Sequence, residues 1–165
     1  ASVTAPTPSP AARPFTPDVV RSRLFPGVED FYASVSAAKF YVTRNIEEVA
    51  SAFGMYLGFQ GVFGEVYEKG AFAEKFVEEN PEFRRYLVRG DSKEDAEMLD
   101  MLRFCQKKRK IDGVTGIYVS KNADEAHTFD VAVSRLHQEG LADLLRNNPE
   151  SSGVLLRALA RAPEE

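Results

Sequence analysis

Apolar residues recur at threes and fours along much of this chain, the spacing that gathers side chains on one face of an α-helix. Val28, Phe31, Tyr32, Val35, Ala38 and Val42 make one such stripe behind the Pro26-Gly27 break, and they predict a helix over 28–43. Asn45 followed by Glu48 has the order of a capping box. A second helix is therefore predicted from 46 to 69, with Gly70 as its terminator. Shorter helices follow over 71–79 and over 81–88, where Asn80-Pro81 supplies a cap and a proline at the first helical position. The second of these turns Phe83, Tyr86 and Leu87 inward.

Beyond the turn at Gly90-Asp91-Ser92, Ser92 with Asp95 caps a helix that runs to 110 with Met98, Leu99, Leu102 and Cys105 on its inner face. Asp112-Gly113 then breaks the chain, and VTGIYVS, 114–120, has the β-branched content of a short strand or extended crossing segment. A helix over 123–138 carries Phe129, Ala132, Val133 and Leu136, and Gly140 stops it. Two turns over 141–147 and a last helix from 151, bearing Val154, Leu155, Leu156 and Leu159, complete the chain. The predicted fold class is thus mainly α: an irregular multi-helix bundle over 18–162, with one extended segment near 114–120. A proline-rich extended tail over 1–17 precedes it, and a C-terminal end over 163–165 follows.

The second predicted helix contains FGMYLGFQGVFG, in which Gly54, Gly58, Gly61 and Gly64 are spaced four, three and three apart. Wound as a helix, they form a groove against which a neighbour must pack closely, because each interior glycine costs about 0.5–1 kcal/mol relative to alanine. The same helix is apolar on its other sides, which predicts burial at the centre of the domain. Leucine at Gly58 is expected to abolish association with neighbouring subunits or the fold itself. No Gly-Lys-Ser/Thr follows the glycines, so they are not read as a phosphate loop.

Composition narrows the partners. A 44% hydrophobic share over 165 residues supports a real core. Lysine and arginine total 21 against 25 aspartates and glutamates, a net charge of −4 that argues against nucleic acid as a partner. A local basic patch does stand out in Arg103, Lys107, Lys108, Arg109 and Lys110. A helix C-terminus favours cations, and an anionic surface, with an acidic protein preferred, is its alternative reading. The uncharged run over 50–64 is shorter than the ~20 residues that span a bilayer, so no transmembrane segment is predicted, while contact at a membrane periphery stays open.

Catalytic chemistry is not indicated. His127 and His137 lie ten residues apart without metal-ligand spacing, and Cys105 falls on an apolar stripe and reads as an inert buried thiol. The run Glu74, Glu78, Glu79 and Glu82 reads as a solvated face. No cofactor and no metal are implied. The segment FVEENPEFRRYL, 76–87, resembles over a dozen residues the turn between helices in the N-terminal domain of the ATP synthase δ or oligomycin-sensitivity subunit, and no function is carried over from it.

The first seventeen residues hold five prolines, one arginine and no acid, and begin without methionine. A chain boundary and the mature end of a processed organelle-targeted protein are the two readings, with a plastid or mitochondrion favoured over the cytosol. The expected function is a non-enzymatic accessory or assembly subunit of a larger protein complex, binding neighbouring subunits through its extended tail and an apolar helix face. The alternative is a helical carrier of an apolar ligand or pigment in the Gly54/Gly58/Gly61 groove.

Overall fold

The structure, a computed structural model, describes residues 16–120, 129–136, 138–146 and 148–157; the histidines at 127 and 137 and the chain before 16 lie outside them. Thr16 caps the first helix, α1 (Pro17–Ser22), its hydroxyl accepting the Val19 N–H at 3.4 Å. Gly27, at φ +86°, turns the chain into α2 (Val28–Ser34). A Cβ at Gly27 would lie 2.6 Å from the Gln138 carbonyl carbon, so the close approach and the positive φ both demand glycine.

From here the predicted helices give way to strands. β1 (Ala38–Val42) occupies the second half of the expected 28–43 helix. The ambiguity is geometric: positions 38 and 42, four apart, share a face in a helix and in a strand alike, and the β-branched and aromatic content of KFYVT favours the strand. α3 (Glu47–Leu57) ends at Gly58, which adopts φ +75°, and β2 (Gly61–Phe63) follows. α4 (Lys69–Glu79) is the helix expected over 71–79, begun two residues earlier.

The helix expected over 81–88 is instead β3 (Arg85–Gly90), so the segment resembling a helix-to-helix turn joins a helix to a strand. α5 (Lys93–Lys107) has the full capping box of Ser92 and Asp95. β4 (Gly113–Ser120) is the expected strand, β5 (Val131–Ser134) replaces the end of the 123–138 helix, and α6 (Leu141–Leu144) and a 3₁₀ turn (Pro149–Ser152) lead to β6 (Val154–Arg157) where a last helix was expected.

The mainly α bundle is therefore corrected to an α/β architecture: one six-stranded sheet in the order β2-β1-β6-β3-β4-β5, every pair parallel. Tyr41, Val62, Leu87, Ile117, Val119 and Leu155 point to one face, packed with residues of α1, α2, α3 and α6. Val42, Phe63, Tyr86, Val88 and Leu156 point to the other, against α4 and α5. Strands covered on both sides lose the polar alternation that marks a half-exposed strand. Short runs such as RYLV then read like helix stripes.

Handedness ties the layers together. Connections that move toward β5, through α4 and α5, use one face, and those that move back toward β2, through α3 and α6, use the other. A right-handed crossover rule requires that segregation. The last strand, β6, is inserted between β1 and β3 and pairs with both.

Candidate functional site

Open parallel sheets bind ligands at the carboxyl ends of their strands, where successive crossovers leave by opposite faces. Here that point lies between β1, followed by α3, and β3, followed by α5. Among the described residues, the protein's own groups bond one another at the start of α5 beside it. The Lys69 ammonium, on the first residue of α4, meets Asp95 Oδ1 at 2.6 Å, with both side chains almost wholly buried. Asp95 Oδ2 accepts the N–H groups of Asp91 and Ser92 at 3.0 and 3.2 Å and the Ser92 hydroxyl at 2.9 Å.

The carboxylate thereby satisfies the N-cap N–H of α5, one of the donors a helix N-terminus leaves free, and the Ser92 hydroxyl accepts a second from the Asp95 N–H. Gly90 makes room for it, since a Cβ there would fall 2.3 Å from the Asp95 carboxyl carbon. The exits of β1 and β2 are tied as closely. Val66 N–H bonds the Thr43 carbonyl at 2.8 Å, Glu65 N–H the Asn45 carbonyl at 2.9 Å, and Arg44 bridges Glu94 at 3.0 Å. On the opposite face of β3, the buried Arg89 guanidinium stacks 4.5 Å over the Phe31 ring and 5.2 Å over Tyr32, a charge held against aromatic faces.

A cleft lies at the edge of the sheet nearby. About 750 Å³ in volume, it runs along α4 between that helix and the end of β2. Its walls carry Phe63, Phe72 and Phe76, with the Phe63 and Phe72 rings edge to face at 4.6 Å and the Phe72 and Phe76 rings 5.9 Å apart. Glu65, Glu68 and Glu79 stand around it against a single cation, Lys75. These four are exposed, while Phe63 and Phe76 are buried and Phe72 is half-buried. The combination, an aromatic trough with an acidic rim, accepts apolar groups that bring positive charge with them.

The residues singled out from sequence are placed as follows. Gly54 is inside α3, Gly58 caps its end, Gly61 begins β2 and Gly64 follows it. The single helix over 46–69 is thus replaced by α3, β2 and the start of α4, and the four glycines do not line one helical groove. Gly64 serves a different close approach: a Cβ on it would lie 2.9 Å from the Glu47 backbone at the start of α3.

The basic cluster lies at the far end of α5, by the amino ends of the strands. Arg103 bridges Asp130 at 3.1 Å, Lys110 reaches Glu78 at 3.5 Å, and Lys108 sits 5.4 Å over the Phe104 ring. Lys107 is in the last turn of α5, and Arg109 takes a left-handed backbone at φ 61°. Cys105 is buried, and that burial pushes its thiol above the ordinary range. Among the described residues no cluster of three or more histidine, cysteine or acidic side chains is placed to hold a metal, and no helix is long and apolar enough to cross a membrane.

Sequence reasoning missed Lys69, taken as a helix end, and the cleft residues Phe63, Phe72 and Phe76. The Phe72 and Phe76 pair, one helical turn apart, was the available signal. Fold and site together define a doubly wound, all-parallel α/β protein in which described groups at the carboxyl ends of β1 and β3 bond one another and a cleft lies at the sheet edge. Comparison with family models, with curated proteins and with solved structures finds no match.

Proposed function

We propose that this protein is a non-enzymatic binding subunit of a larger assembly, and that it holds an apolar, basic-flanked segment of a neighbouring protein in the cleft along α4. The observation that carries this reading is the pairing of an aromatic floor, Phe63, Phe72 and Phe76, with three carboxylates and one ammonium around it. Phe63 and Phe76 are buried in that floor, and Phe72 is its half-buried ring, a partly open aromatic surface of the kind that protein interfaces cover. The buried ions Lys69 and Asp95 satisfy each other, which supports a structural role for them.

The test uses synthetic peptides. A leucine-rich peptide flanked by lysines is expected to bind and to shift the amide resonances of residues 64–66 and of α4, and its glutamate-flanked counterpart to bind more weakly by about tenfold. Phe72→Asp is expected to abolish the binding. Equal affinity for both peptides, or resonance shifts confined to another face, defeats the proposal.

A further inference from the structure

Helices in a doubly wound layer normally lie side by side, each covering part of the sheet. α4 packs on α5 along one flank, and its other flank borders the cleft over the edge strand β2. The residues it turns toward that cleft are Glu68, Ala71, Phe72, Lys75, Phe76 and Glu79. They recur at threes and fours from the residue that caps α4 to its last residue, so one continuous helix face is presented over the whole element. At eleven residues that face is roughly 16 Å long, three turns of helix.

Two backbone forms compete to fill such a trough. An added strand would pair with β2, which offers only three residues. A helix would instead set its own ridge beside α4 and bury apolar side chains at i, i+3, i+4 and i+7 against Ala71 and the half-buried Phe72, above the buried Phe63 and Phe76.

Charge sets its direction. Glu65 and Glu68 stand at the amino end of α4, whereas Lys75 offsets Glu79 toward the carboxyl end. Cations are favoured in the last turn of a helix, and antiparallel neighbours oppose their dipoles. We infer that the segment bound in the cleft is an amphipathic helix of about three turns, lying antiparallel to α4, with its basic residues in its last turn beside Glu65 and Glu68. This rests on the protein-binding reading of the cleft.

Three synthetic peptides of identical composition, made of leucine, lysine and alanine, serve as probes. The first has leucine at i, i+3, i+4 and i+7 with lysines in the last turn. The second keeps that spacing with lysines in the first turn, and the third places leucine at alternate positions. Fluorescence anisotropy should show the first binding tightest, by about tenfold over the third, with a gain of helical circular dichroism on binding. The double variant Glu65→Gln, Glu68→Gln, which alters only exposed side chains, should weaken the first peptide and leave the second nearly unchanged.

A third peptide that binds as tightly as the first overturns the helix and leaves the protein-binding reading standing. A second peptide as tight as the first overturns the antiparallel direction. Failure of all three to bind, or binding that Phe72→Asp does not reduce, overturns the protein-binding reading itself.

Discussion

Asp95 is the residue on which the interior depends most. Its two carboxylate oxygens together accept a lysine ammonium, two backbone N–H groups and a serine hydroxyl, all within 3.2 Å. Neither Lys69 nor Asp95 is read from the sequence as a buried ion, because a lysine at a helix start and a carboxylate in a capping box both look like surface residues. Removing one member of a buried pair leaves an uncompensated charge, at a cost of roughly 3–5 kcal/mol. Lys69→Met is therefore expected to lower the unfolding free energy from denaturant titration by that amount. Asp95→Leu should cost at least as much, since the cap is lost as well, and the double variant should cost less than the sum. Additive losses in that cycle would mean the two charges do not interact.

At the scale of elements, the glycines separate two kinds of constraint. Gly58 ends α3 at φ +75°, with nothing within 4 Å of where a Cβ would sit. Gly58→Ala should then cost only the left-handed backbone strain, about 1 kcal/mol, and Gly58→Leu little more. That outcome departs from the collapse expected of leucine at the centre of a packed helix. Gly64 has ordinary backbone, but its Cβ would press on Glu47 at the first residue of α3. Gly64→Ala should cost more than Gly58→Ala, about 2 kcal/mol, because the start of a helix must move. Thermal melts of the two variants rank them, and the reverse order would refute this account of the β2 exit. The helices that were legible, α4 and α5, carry strong local signals, a compact apolar stripe and a capping box. Of the strands, β4 was legible from its β-branched content, whereas β1, β3 and β6, each paired on both sides within the sheet, carry no polar alternation to distinguish them from helix stripes.

For the molecule as a whole, the decisive fact is that the last described strand is central. β6 pairs with β1 on one side and β3 on the other, joining a two-stranded half to a three-stranded half. The sheet is therefore incomplete until the chain through Arg157 has been placed, and long-range parallel pairing of this kind folds slowly. A chain ended at Gly153 is expected to lack cooperative thermal unfolding and dispersed amide resonances, and a folded spectrum from it would contradict the keystone role of β6. The sequence by itself determined the local signals: the Ser92 and Asp95 cap, the helices around 71–79 and 93–107, the strand near 114–120, the burial of Cys105 and the shortness of the uncharged 50–64 run. The tertiary structure alone decided that 38–42, 85–90, 131–134 and 154–157 are strands, that Lys69 meets Asp95, and that one face of α4 borders an open aromatic cleft. Local propensity is written in neighbouring residues, but parallel strands are made by partners that lie far apart in the chain, and an apolar stripe does not say which other stripe will cover it.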